Sequence, residues 1–183
     1  MKKTIIILLT VMHLANSYSQ SVIYKGEKSY IATDSWRFET NKYINDENLS
    51  VKVAKVTNSS GYLMLSTKVF PPYATISGPI LLYLENGKVI TLINKVSSDN
   101  VDDESIVLFS LSLTHINSLK ESTIEKVRFS VDWGRKDNYT ANNNGVVVYK
   151  NEWDQFSRTF EDKKYVLQLN TAAEVSELFN IKN

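Results

Sequence analysis

The chain of 183 residues contains no cysteine, three prolines, six glycines and two histidines. Each shortage closes a class of chemistry. Without a thiol there is no cysteine nucleophile, no disulfide and no acceptor for lipidation. The glycines of the body of the chain are scattered, so none builds a phosphate cradle at a strand-to-helix junction, and no Gly-x-Ser-x-Gly elbow occurs. His13 lies in an N-terminal apolar run, which leaves His115 as the one histidine of the body. Zinc sites of two or three histidines are therefore excluded, and a serine triad would have to use His115 as its base. Charge of one sign is also scarce, with 20 acidic against 21 basic residues. A near-neutral chain lacks the electrostatic footprint of nucleic-acid binding and has no polybasic segment for anionic lipid.

What is present begins with an export pattern. Lys2 and Lys3 precede the apolar run from Thr4 to Ala15, and Ser17 and Ser19 follow as small side chains before Gln20. Residues 1–19 read as a secretory signal peptide cleaved after Ser19, and 20–183 as one β-rich domain. The expected location is secreted or periplasmic. The apolar run is about half the roughly 20 residues that cross a bilayer, so no membrane span is expected. Removal of Lys2 and Lys3 leaves acidic residues one in excess.

Period-two alternation dominates the rest. Trp36 and Phe38, then Leu49, Val51 and Val53, then Leu63 and Leu65, alternate with polar neighbours and predict three half-buried strands. Pro71 and Pro72 open a loop that Gly78 and Pro79 close. Asn86–Gly87 predicts a two-residue hairpin turn that sets Glu85 opposite Lys88 and Tyr83 opposite Ile90. In that register both hairpin faces are apolar and the hairpin belongs in mid-sheet. Strands at 105–113 and 124–133 place Val107, Phe109, Leu111, Val127, Phe129, Val131 and Trp133 inward. Between them Thr114 caps a short helical turn ending near Lys120. Residues 134–145 read as a long turn or loop, followed by strands at 146–150 and 163–169 around a stretch holding Trp153, Phe156 and Phe160. A capping box of Thr171 and Glu174 starts a terminal helix whose stripe of Val175, Leu178 and Phe179 closes one end of the core.

The pattern is all-β: an antiparallel β-sandwich of about nine strands with a short C-terminal helix, a closed β-barrel being the alternative. The run Gly78 to Leu92 with its Glu85-Asn86-Gly87 turn, then Leu113, Thr114, Ile116, Leu119, Ile124, Val127 and Arg128, resembles a recurring type of secreted β-rich bacterial protein. Thr33-Asp34-Ser35-Trp36 and the Ser19-Gln20 end of the export signal are similar in placement. The resemblance covers about 100 residues of loose pattern; proteins of that type carry no assigned activity, so it implies an exported β-domain and no catalytic residue.

The candidate site is a cluster of aromatic and polar residues: Trp133, Arg135, Asp137 and Tyr139 with Lys136 in one loop, Trp153 and Asp154 in the next. Aromatic faces beside hydrogen-bonding groups suit a glycan or a protein ligand. The competing reading makes Trp133 the last inward residue of its strand and Trp153, Phe156 and Phe160 a lid on the core. His115 reads as a solvent-facing capping residue. Asp132 and Asp154 are the acids for a carboxylate hydrolase, the alternative function, although alternation turns Asp132 outward. Asp99, Asp102, Asp103 and Glu104 lack EF-hand spacing and read as a solvated turn. A third alternative is a structural or assembly role through an exposed edge strand; charged residues along Arg37–Tyr43 protect that strand from such pairing. Sequons stand at Asn48, Asn58 and Asn138. The sequence thus predicts a non-catalytic exported binding or envelope-associated module, monomeric, with no cofactor and no metal.

Overall fold

The computed structural model describes residues 21–39, 48–68, 75–101, 104–132, 139–141, 147–149, 155–161 and 170–181. The described residues fold as antiparallel β-structure with two helices. Its strands are β1 (Ser21–Lys25), β2 (Lys28–Ala32), β3 (Trp36–Glu39), β4 (Asn48–Thr57), β5 (Ser60–Lys68), β6 (Thr75–Leu84), β7 (Val89–Leu92), β8 (Lys95–Val101) and β9 (Glu104–Leu111). Helix α1 (Leu113–Glu121) follows, then β10 (Ile124–Asp132), β11 (Tyr139–Ala141), β12 (Val147–Tyr149), β13 (Gln155–Glu161) and the C-terminal helix α2 (Thr171–Asn180). Eleven strands form one sheet whose main path runs β7-β6-β10-β13-β3-β4-β5-β9-β8, while β11 and β12 pair only with each other.

The two ends of that path, β7 and β8, are joined in the chain by Ile93 and Asn94 alone. Opposite edges of a long sheet can be tied by two residues only if the sheet curls until they meet. At that corner the Ser110 N–H donates to the Asn94 carbonyl at 3.0 Å and Lys95 Nζ donates to the Ile76 carbonyl at 3.1 Å. The fold is therefore a half-barrel in which the facing walls belong to one curled sheet. Its interior holds Trp36, Phe38, Leu49, Val51, Val53, Leu63, Leu65, Val107, Phe109, Val127 and Phe129, all at most 1% exposed. These are the inward residues that alternation predicts. A smaller cluster on the outer face of the sheet joins Ile23 and Ala32 of the β1–β2 hairpin to Ala54 and Leu108.

The hairpin β6–β7 departs from expectation by one residue. Leu84 N–H donates to the Lys88 carbonyl and Gly87 N–H to the Leu84 carbonyl, both at 2.9 Å, so the turn has three residues, Glu85 to Gly87. Gly87, at φ +82°, takes the left-handed position that such a turn requires at its end. Tyr83 consequently faces Val89, and Leu82 faces Ile90. Because the side-chain period is two, this slip moves Ile90 and Leu92 onto the buried face with Ile80, Leu82 and Leu84, and turns Val89 and Ile93 to solvent. The hairpin has one apolar face and lies at the sheet edge, not in mid-sheet.

Three other expectations change. Gly78 and Pro79 do not end a loop: β6 begins at Thr75 and runs through them as a bulge, with Arg128 opposite Leu81 and Ser130 opposite Ser77. Gly78 has φ +69°, and the bulge accommodates the N–H that Pro79 lacks. Strand β3 stands between β13 and β4 in the sheet order, joined to β13 through Glu39 opposite Glu161, so it is not the free edge that was expected; the rest of that expected edge, residues 40–43, lies outside the described residues. Residues 134–145 contain a strand, β11, and Phe156 and Phe160 lie on β13, registered opposite Val131 and Val127. The expected strand at 163–169 lies outside the described residues.

Both helix starts shift to an unanticipated residue. The N-cap of α1 is Ser112, whose Oγ accepts from His115 N–H while His115 Nδ1 accepts from Ser112 N–H, completing a capping box without an acid. The N-cap of α2 is Asn170, whose Oδ1 accepts from Ala173 N–H at 3.0 Å. Thr171, expected as that cap, is buried, and its Oγ1 accepts the Ile124 N–H at 2.9 Å where β10 begins. Val175, Leu178 and Phe179 enter the main core as the stripe predicts. Among the described residues no helix is long and apolar enough to cross a membrane.

Two substitutions test this packing. A Cβ on Gly61 would lie 2.5 Å from the Ala54 carbonyl oxygen and 3.0 Å from Phe179 Cζ. Gly61→Ala is expected to cost about 1–3 kcal/mol in urea unfolding through overpacking. Thr171→Val keeps the shape but leaves the Ile124 N–H without its acceptor, with an expected loss of about 1–3 kcal/mol.

Candidate functional site

The segment that carries the predicted site begins and ends at one place on the sheet. Strands β10 and β13 are paired from Lys126 opposite Glu161 to Asp132 opposite Gln155. The chain thus leaves after Asp132 and re-enters at the residue beside it. Within this excursion β11 and β12 form a separate ribbon, Tyr139 opposite Tyr149 and Ala141 opposite Val147. Of the predicted site residues, Tyr139 opens β11. Trp133, Arg135, Asp137, Trp153 and Asp154 lie outside the described residues, as does Lys136. Asp132 is the last residue of β10, at the base of the excursion.

His115, Glu104 and Asp99 are each tied into the fold by hydrogen bonds. His115 is half-buried, and burial holds its imidazole below the usual histidine range. Protonation would also remove the Nδ1 acceptor used by Ser112 N–H. Glu104 accepts from the Ser66 hydroxyl across the β5–β9 pair. Asp99 Oδ1 accepts from the Asn100 N–H on β8, and Asp102 and Asp103 lie outside the described residues.

Two polar contacts that sequence reading missed seat α2 against the barrel. Trp36 is 1% exposed, and its indole Nε1 donates to Glu174 Oε2 at 2.8 Å, a contact between residues 138 positions apart. Burial pushes the Glu174 carboxyl above the ordinary carboxylate range. The Trp36 bond opposes that shift, and the charge of Asp34 adds to it. A backbone hydrogen bond from Asp34 again opposes the rise, and the charge of Glu177 adds to it. At the other end of α2, whose last turn holds no basic residue, buried Lys55 reaches from β4 and donates Nζ to the Ile181 carbonyl at 2.5 Å. An ammonium there satisfies an orphan carbonyl and complements the helix dipole. The alternation Leu49, Val51, Val53 extends to Lys55, so an inward lysine was the available signal. No local pattern pairs Trp36 with Glu174.

These shifts give opposite pH dependences. Glu174 has a folded pKa above its unfolded value, so its favourable contribution is complete below the unfolded pKa and is lost as pH rises through the folded one. Glu174→Gln keeps an oxygen for Trp36 and is expected to flatten the stability profile above about pH 4.3. Glu174→Ala is expected to cost about 1–3 kcal/mol by orphaning the buried indole N–H. His115 has a lowered folded pKa, so its contribution is present above the unfolded pKa and is lost as pH falls below about 6.5. His115→Ala should destabilise by about 0.5–1 kcal/mol at pH 8 and by less at pH 5, measured by urea titration at each pH.

Comparison of the chain with protein-family models, curated proteins and solved structures gives no match in any of the three.

Proposed function

We propose that the chain is an exported, non-catalytic β-domain that binds a glycan or a protein through the excursion between β10 and β13. The residues assigned to that surface are Trp133, Arg135, Asp137, Tyr139, Trp153 and Asp154. One observation carries the reading. The excursion departs and returns at the paired residues Asp132 and Gln155, and its β11–β12 ribbon belongs to a sheet of its own. An insertion rooted on a packed sheet is a common way to present a binding surface, because the scaffold supplies rigidity and the insertion supplies variable chemistry. Its residues have the chemistry for this: aromatic rings offer apolar area at low entropic cost, and the acids and arginine beside them fix orientation.

Absence of catalysis is part of the proposal and is supported by the use to which His115 is put. Its Nδ1 accepts from the Ser112 backbone, so it holds a helix start instead of standing ready as a base. Export to the periplasm or beyond rests on residues 1–19, and a monomer is proposed.

The test uses the mature domain on glycan arrays and on fractionated envelope extracts. Wild type should be retained by at least one component. A Trp133→Ala, Tyr139→Ala, Trp153→Ala triple should bind at least about tenfold more weakly, since interface aromatics commonly contribute more than 1 kcal/mol each. Circular dichroism and the thermal midpoint confirm that the triple folds. Equal binding by the two proteins would remove this surface from consideration.

A further inference from the structure

The three-residue turn between β6 and β7 carries an exposed Asn86–Gly87 pair, a sequence with its own covalent chemistry. The Gly87 backbone nitrogen can attack Asn86 Cγ. A C–N bond closes a cyclic imide, and the side-chain nitrogen leaves as ammonia, taking up the proton that Gly87 gives to solvent. Water then opens the imide at either carbonyl, giving aspartate or isoaspartate. Glycine is the most permissive neighbour for this step because it has no Cβ to obstruct the attack.

The native turn withholds each reacting group. Gly87 N–H, the nucleophile, is donated to the Leu84 carbonyl at 2.9 Å. The Asn86 side chain is held by its Oδ1, which accepts the Lys88 N–H at 3.0 Å. From outside the hairpin, Asn86 N–H donates to the buried Ser122 hydroxyl at 3.1 Å and Glu85 N–H to the Thr123 carbonyl at 3.0 Å. Lys88 Nζ and Glu121 add an exposed ion pair at 2.7 Å. The turn is thus clamped to the connector between α1 and β10 by two of its backbone N–H groups, with its reactive pair exposed to water.

We propose that Asn86 is a deamidation site gated by local unfolding: solvent exposure leaves it accessible, and release of the turn from Ser122 and Thr123 makes it reactive. Modification would not be silent. Isoaspartate adds a methylene to the backbone of the turn that sets which hairpin face is buried, and it places a new carboxylate between Glu85 and the Lys88–Glu121 pair. Ile90 and Leu92, buried through that register, would lose their fixed position.

The experiment incubates the full chain at pH 7.4 and 37 °C. Peptide mapping and isoaspartyl methyltransferase labelling follow the Asn86 peptide, resolved from that of the second Asn–Gly pair, Asn144–Gly145. The native protein should react at least about tenfold more slowly than the urea-unfolded chain, because reaction proceeds only through the open population. Ser122→Ala should react faster than wild type, and the rate should rise in proportion to Gly87 N–H exchange. A series of sub-denaturing urea concentrations on the wild type tests that proportionality even if Ser122→Ala fails to fold. Equal rates in native and unfolded protein, or a deamidation rate that does not follow Gly87 exchange, would overturn the proposal.

Discussion

Two residues, Ile93 and Asn94, join the outermost strands of the main path, and that short tether constrains everything else in the fold. A flat sheet would set β7 and β8 many strand spacings apart, at about 4.8 Å each. Curling is the one way to satisfy the link, and it creates an inside. Once the sheet has an inside, alternation along each strand sends one set of side chains there, and the single main core follows. Curvature also strains the ladders, and the bulge at Gly78–Pro79 is placed where β6 must bend across β10.

Buried hydroxyls recur where the ladders cannot pair regularly. Ser105 Oγ accepts the Ile76 N–H, Thr171 Oγ1 the Ile124 N–H, Ser122 Oγ the Asn86 N–H and Thr33 Oγ1 the Val53 N–H. Each satisfies a backbone donor at a strand start, a turn or a strand crossing, where an unpaired N–H would otherwise cost about 1–3 kcal/mol. The C-terminal helix applies the same logic with charged groups, through Glu174 on the Trp36 indole and Lys55 on the Ile181 carbonyl. With no disulfide available, long-range polar contacts at both ends of α2 and its apolar stripe hold the helix on the barrel.

What the sequence disclosed and what it withheld follow from the range of the forces involved. Val107, Phe109 and Leu111 were legible because burial on one face writes a period of two into consecutive residues. The terminal helix was legible from Val175, Leu178 and Phe179 at helical spacing. Strand β8 was not, because Lys-Val-Ser-Ser-Asp-Asn-Val at the sheet edge buries little and alternates weakly. In β13 the apolar positions Phe156 and Phe160 are separated by Arg158, which breaks the run that would have announced a strand. The helix caps were misplaced by one or two residues for a different reason. Ser112 and Thr114, like Asn170 and Thr171, are both competent caps, and only the fold shows that Thr171 is committed to Ile124. The hairpin register failed because Asn–Gly serves both two-residue and three-residue turns, and the hydrogen bond that decides between them joins Leu84 to Gly87.

The same contrast separates the candidate site from the scaffold beneath it. The predicted cluster was found by chemistry, from aromatic and ionic residues side by side, whereas its base is fixed by geometry, the pairing of Asp132 with Gln155. The β10–β13 ladder extends back from that pair to Lys126 opposite Glu161, and β10 is also paired on its other flank with β6. An insertion rooted in this way can change its sequence without unseating Val127 or Phe129, both buried further down β10. If the proposed function holds, binding specificity and fold stability are separable properties, the first confined to the excursion and the second to the curled sheet.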